Sequence, residues 1–261
     1  MVIKKAFLSI TLACASAVIS LSASADVLQQ IQERHVVLIA IPQDYAPYGF
    51  VSSDMTPKGL DIDVAKLVAK KMGVKVKLIP VTSPNRVPYL QTGKADMTIS
   101  SLGKTPQRAK VIDYSIAYAP FYDAVFGSKE LKASTPKEMA GKTVSVTRGS
   151  MQDKELSEIA PKAIVKRFED NNSTITAFLS GQTQMAAIGT TVAAAIEKSH
   201  PNVDMQLKLV LSNSPCYIGM PKGQPKLVAK VNSIIRAAKK DGTLDKISQK
   251  WLGAPAGNLP E

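Results

Sequence analysis

Thr105-Pro106-Gln107-Arg108 is the segment whose residue types and spacing point most directly to chemistry. Threonine is a good helix N-cap and proline a good first helical residue, so a helix should open here. The free N–H groups of its first turn and the positive end of its dipole favour an anion. Arg108 falls within that turn, and a planar guanidinium can grip a carboxylate through two parallel hydrogen bonds. The bland alternative is an ordinary capped helix with a surface arginine. Other chemistries find less support. His35 and His200 are the only histidines, neither stands in a metal-ligand spacing, and no Ser-His-Asp arrangement can be proposed, so no metal or cofactor is expected.

Composition narrows the class. The chain carries a formal charge of +12, which speaks to association and solubility and not to fold. Its lysines are scattered, as in Lys70-Lys71 and Lys239-Lys240, without interleaved aromatics or a nucleic-acid motif, so they read as solvated surface and no nucleic-acid partner is expected. Residues 1–25 read as an export signal: Lys4 and Lys5, an apolar stretch from Ala6 to about Leu21, then Ala23-Ser24-Ala25 before a mature start at Asp26. Ser9, Thr11, Ser16 and Ser20 interrupt the stretch, which falls short of the ~20 apolar residues of a span. Cleavage before Cys14 as a lipoprotein is the lesser reading, because Thr11 stands where a lipobox prefers Leu. Cys216 is then the only remaining cysteine, so no intramolecular disulfide can form.

The elements that must position Arg108 alternate along the chain. Val36 to Ile41 is a continuous apolar run of strand length, as in a parallel strand covered on both faces. Tyr45 to Gly59 reads as a loop. Val64, Leu67, Val68 and Met72 recur at helical spacing, with Asp61 suited to the helix dipole and Gly73 as the stop. Val74 to Val81 and Asp96 to Ser100 are strands about a short helix, and Ala117 to Gly127 reads as an extended crossover. Lys142 to Val146 restarts the pattern, with helices near Met151 to Ile159, Thr174 to Leu179 and Thr191 to Lys198. Strands interleaved with helices predict an α/β fold with a mostly parallel sheet in each half.

Several motifs together resemble the polar-amino-acid solute-binding proteins of ABC importers. They are Tyr45-Ala46-Pro47-Tyr48, the run Gly59-Leu60-Asp61-Ile62-Asp63 into its helix, Leu90-Gln91-Thr92-Gly93-Lys94-Ala95-Asp96, and Thr105-Pro106-Gln107-Arg108. Gly141-Lys142-Thr143-Val144, Arg148-Gly149-Ser150 and the ending from Asp241-Gly242 to Trp251-Leu252-Gly253 follow in order. The resemblance implies a two-lobed periplasmic-binding-protein fold: lobe 1 from residues 26–118 and 217–261, and lobe 2 from 119–216 with the crossovers near Tyr118 to Phe121 and Asn213 to Cys216 as hinge. It implies a periplasmic receptor, expected to be monomeric, that closes on a small amino acid or related carboxylate and serves ABC importer permease subunits.

By the same resemblance, Arg108 with Thr105 takes the ligand carboxylate, Ser100 and Ser101 bond the ligand at a strand end, and Tyr45 packs over it. Arg86, in Thr82-Ser83-Pro84-Asn85-Arg86, is similar to the second cation of acidic-amino-acid members, against the alternative of a solvated helix start. Arg148, Ser150 and Met151 would face the cleft from lobe 2. Where the family places an acid for the ligand amine, the count reaches Gly189, followed by Thr190, and Pro42 replaces another acid. Either Glu169 or Asp170 takes over, or the ligand lacks a conventional amine. A cyclohexadienyl dehydratase-like enzyme on the same fold is the alternative function; it would need a cleft carboxylate as general acid or base, and Glu169 and Asp170 are its candidates.

Overall fold

The computed structural model describes residues 26–261. The export signal and Cys14 lie outside the described residues. Asp26 caps α1 (Val27–Arg34), its carboxylate accepting from the Gln29 N–H at 3.2 Å. The apolar run then forms β1 (Val36–Ile41).

The predicted loop that follows is a small three-stranded sheet of β2 (Asp44–Tyr45), β3 (Gly49–Val51) and β4 (Pro57–Lys58). Strands of two or three residues are too short to display the alternation from which a strand is read. α2 (Leu60–Met72) starts at Gly59, whose φ of 133° and close approach to the Tyr48 carbonyl exclude a Cβ. β5 (Lys75–Pro80), a 3-10 turn over Ser83–Asn85, α3 (Arg86–Gln91), β6 (Met97–Leu102), α4 (Pro106–Ala109) and β7 (Ile112–Ala119) complete the first pass.

The chain then builds a second unit: β8 (Tyr122–Gly127), β9 (Thr143–Thr147), α5 (Met151–Ile159), β10 (Ile164–Phe168), α6 (Asn171–Leu179), β11 (Met185–Gly189), α7 (Thr190–Ser199) and β12 (Gln206–Asn213). It returns as β13 (Cys216–Pro221), α8 (Pro225–Lys240) and α9 (Thr243–Leu252). Two five-stranded sheets result, ordered β5-β1-β6-β13-β7 and β10-β9-β11-β8-β12. In each, the strand next to a crossing, β13 or β8, runs antiparallel to both neighbours while the others share one direction.

Helical periodicity tells which faces are buried. Leu227, Val231, Ile234, Ile235 and Ala238 of α8 are buried in the first lobe, as their spacing predicts. Trp251 of α9 meets Phe50 edge-on at 5.9 Å and donates to Asp63 at 2.8 Å. Among the described residues no helix is long and apolar enough to cross a membrane.

Candidate functional site

The C-terminal end of β6 carries the first wall of the site. Ser101 adopts a φ of 39°, a left-handed conformation unusual for a non-glycine residue. Its N–H donates to Asp61 Oδ2 at 2.8 Å, and the Tyr118 hydroxyl donates to Asp61 Oδ1 at 2.6 Å. Asp61 is therefore no surface partner of a helix dipole. It is fully buried, and burial raises its pKa to about 7 against the lowering effect of those two hydrogen bonds.

Arg86 lies behind the same strand end and is 5% exposed, which excludes the solvated helix-start alternative. Its Nη1 donates to the carbonyls of Ser100 at 2.8 Å and Ser101 at 3.3 Å, and its Nε to the Ser83 carbonyl at 3.2 Å. Desolvation, then repulsion from Arg108, brings its pKa down to about 10, so it remains a cation at neutral pH. These bonds leave Nη2 unused.

Contacts from the small sheet and from α4 join the lobes. Asp44 accepts from the N–H groups of Asn171 and Asn172 at 2.7 and 3.2 Å, an anion set on the N-terminus of α6. The Tyr45 hydroxyl accepts from the Gly189 N–H at 3.1 Å and faces Gln152 at 3.4 Å. Arg108 donates to the Gly103 carbonyl in its own lobe and to the Gly149 carbonyl in the other, both at 2.7 Å. Between these contacts lies a chamber of about 20 Å³. That is the room of roughly one water.

Tyr45, Arg86, Ser100, Ser101, Ser150 and Met151 all line this chamber. Ser150 also caps α5, accepting from the Asp153 N–H at 3.1 Å. Met151 packs against Gly103 so closely that a Cβ there would lie 2.6 Å from its Cγ. The other predicted residues fall elsewhere. Thr105 accepts from the Arg108 N–H at 3.1 Å, and both line a separate open groove of about 460 Å³ beside the chamber. Arg148 is half exposed, paired with Glu169 at 2.6 Å, and does not line the chamber. Asp170 caps α6 through the Ser173 N–H at 2.7 Å. Gly189 and Thr190 do not line the chamber, because the Phe121 ring occupies the position where a Cβ on Gly189 would stand.

A carboxyl is nevertheless present. Asp123 of β8 lines the chamber, is fully buried, and lies directly across the sheet from Gly189. Burial, with the nearby Glu155, pushes its pKa up to about 8, and its Oδ1 has no hydrogen-bond partner. Sequence reading passed it over inside a predicted crossover. The available signal was one acid amid the apolar Ala124-Val125-Phe126 of a strand covered on both faces.

A larger groove of about 700 Å³ opens outward between the lobes, but Asp44 and Asp170 are its only charged lining residues. The small chamber is the one that gathers a buried cation, a buried acid and hydroxyls. Convergent polar groups in a concave site are what orient a ligand in a binding pocket.

Residues 37–254 match the bacterial extracellular solute-binding proteins, family 3. The chain is 28% identical over 232 residues to a glutamine-binding protein of an ABC transporter from Bacillus subtilis (strain 168), covering 87% of this chain and 85% of that one. An arginine-binding extracellular protein of the same organism is 25% identical over 255 residues, 95% of this chain and 98% of its own. Among solved structures, an ancestral arginine-binding protein bound to arginine gives a TM-score of 0.80 at 31% identity, covering 84% of this chain and 99% of that one. An ancestral amino acid-binding protein, a precursor of cyclohexadienyl dehydratase, gives 0.78 at 31%, covering 87% and 100%.

Proposed function

As the chain belongs to the bacterial extracellular solute-binding proteins, family 3, we propose that it delivers a small amino acid or close carboxylate relative to an ABC importer, holding it in the chamber between the lobes. It is a binding protein and not an enzyme, like the glutamine- and arginine-binding relatives. Residues 1–25, read as an export signal, support a periplasmic site of action.

The observation that carries the reading is Arg86, a buried guanidinium beside the strained end of β6, opening on the interlobe chamber. A carboxylate placed there would meet a desolvated cation, where a charge-assisted bond is strongest. The chamber is too small for an amino acid with the lobes in contact, so entry requires rotation about the two crossings, Ala119 to Tyr122 and Asn213 to Cys216. Mass spectrometry of solute released from the purified protein, followed by calorimetry of that solute on Arg86→Gln, tests this. Recovery of an amino acid whose affinity the substitution leaves untouched would sink the assignment of the chamber.

A further inference from the structure

Two carboxyls at the chamber, Asp123 and Glu155, share the Ser212 hydroxyl, and Asp123 also meets Ser214. Ser212 Oγ lies 3.3 Å from Asp123 Oδ2 and 2.6 Å from Glu155 Oε1. A hydroxyl has a single proton to donate, so it serves one carboxylate at a time. Asp123 Oδ1 and Glu155 Oε2 are buried without a hydrogen-bond partner. Unpartnered buried acceptors are rare in folded proteins and call for a ligand, a proton or a cation.

Among the described residues no lysine or arginine forms an ion pair with Asp123, and its Oδ1 has no hydrogen-bond partner. Facing it are Glu155 from α5, Arg86 from α3, Arg108 from α4, Tyr45 from β2 and Cys216 from β13. Arg86 and Arg108 are engaged with main-chain carbonyls. Glu155 is a like charge, and two carboxyls at this separation in a poorly solvated site do not readily both ionise. Without a cation, the pair therefore keeps a proton at neutral pH.

We propose that Asp123 anchors an ammonium group of the solute and that the Asp123–Ser212–Glu155 unit releases a proton to bulk water when the solute binds. The inference rests on the chamber being the binding site and adds the residue that meets the solute amine and the proton that its arrival displaces. Only an O–H bond breaks; the arriving ammonium supplies the positive charge that the departing proton removes. Arg86 and Asp123 then present opposite charges to the two poles of one zwitterion. The acid that sequence comparison expects at Gly189 is provided by its cross-strand partner, one strand away.

The test uses the exported form of the chain, a panel of common L-amino acids, and the deaminated acid of the best binder. Calorimetry at pH 6.5 in buffers of contrasting ionisation heat reads protons released along with affinity. The best amino acid should release a measurable fraction of a proton, and its deaminated acid should bind at least about tenfold more weakly with no release. Asp123→Asn should abolish the release and weaken amino-acid binding by at least about tenfold while the protein stays folded. Glu155→Gln should release less per solute bound, because the like charge that retains the proton is gone. No proton release in the unaltered protein, or full affinity in Asp123→Asn, would overturn the inference. If Arg86→Gln abolishes binding in that case, the chamber reading stands; if both variants bind normally, the chamber reading fails too. A solute panel in which deaminated acids bind as well as amino acids overturns the amine anchor alone.

Discussion

Asp61 Oδ2 accepts the main-chain N–H of Ser101 at 2.8 Å, joining the first turn of α2 to the strained end of β6. This bond gives the Gly59-Leu60-Asp61 motif a physical purpose. Gly59 lets the chain turn past Tyr48, and Asp61, two residues on, fixes the end of β6. A left-handed serine holds its conformation only where its surroundings impose it.

Asp61→Ala should therefore lower stability by about 2–4 kcal/mol, leaving the Ser101 N–H and the Tyr118 hydroxyl without their buried acceptor. Asp61→Asn, which resembles the protonated acid and retains one acceptor, should be markedly milder. Urea unfolding at pH 7 reads both. Equal losses in the two variants would show that the carboxyl acts through packing alone.

Arg86→Gln should weaken solute binding by about 2–5 kcal/mol, the scale of removing one partner from a buried charged contact. Arg86→Lys should recover only part of this, because an ammonium cannot reproduce the guanidinium fork that spans Ser83, Ser100 and Ser101. Calorimetry with the released solute measures each. Full recovery by lysine would mean that the charge matters and the geometry does not.

Arg108 bridges Gly103 and Gly149 across the cleft, so Arg108→Ala should shift the solute-free protein toward separated lobes. Small-angle scattering should show a larger radius of gyration in the variant without solute. Affinity should fall by about tenfold or more if the guanidinium also meets the carboxylate when the lobes part. An unchanged scattering profile would show that the contacts of Asp44, Tyr45 and Tyr48 hold the lobes together without Arg108.

Stability without solute should fall as pH rises from about 4 toward 8. Asp123 and Asp61, pushed up to about 8 and about 7, keep protons in the folded state that the unfolded chain loses near its ordinary carboxylate value. Their contribution is complete at the acid end of that window and is lost as pH passes the folded values. Thermal unfolding across the window should show the slope, and Asp123→Asn should flatten its upper part. A slope unaffected by Asp123→Asn would assign it to other groups.

Gly189→Ala should destabilise by about 1–3 kcal/mol, the usual range for overpacking. The added Cβ would lie 2.5 Å from the Phe121 ring. Phe121→Leu in the same chain should relieve part of that loss, which additive behaviour in a double-mutant cycle would refute.

The sequence by itself determined the family and the longer helices and strands, though not the short β2-β3-β4 sheet or the start of β8. The apolar run from Val36 to Ile41, the helical spacing of α8 and the Thr105-Pro106 cap each carry their conformation within a few residues, so periodicity and capping rules reach them. That Tyr45, Ser100 and Ser101 would come together followed from a motif and from a strand end, each continuous in the chain, and all three line the chamber. What only tertiary structure decided was which charges share a space. Arg148 and Arg86 each lie near the start of a helix, yet one is half exposed beside Glu169 and the other is buried under β6. Glu169 and Asp170 were the acids that the sequence offered for the solute amine, whereas Asp123 stands beside Gly189 across the sheet. Strand pairing converts a separation of 66 residues, between Asp123 and Gly189, into direct neighbours, and the covering helices remove water from one acid and not another. Burial and pairing of this kind belong to the assembled sheets, since no stretch of sequence states what will lie on top of it.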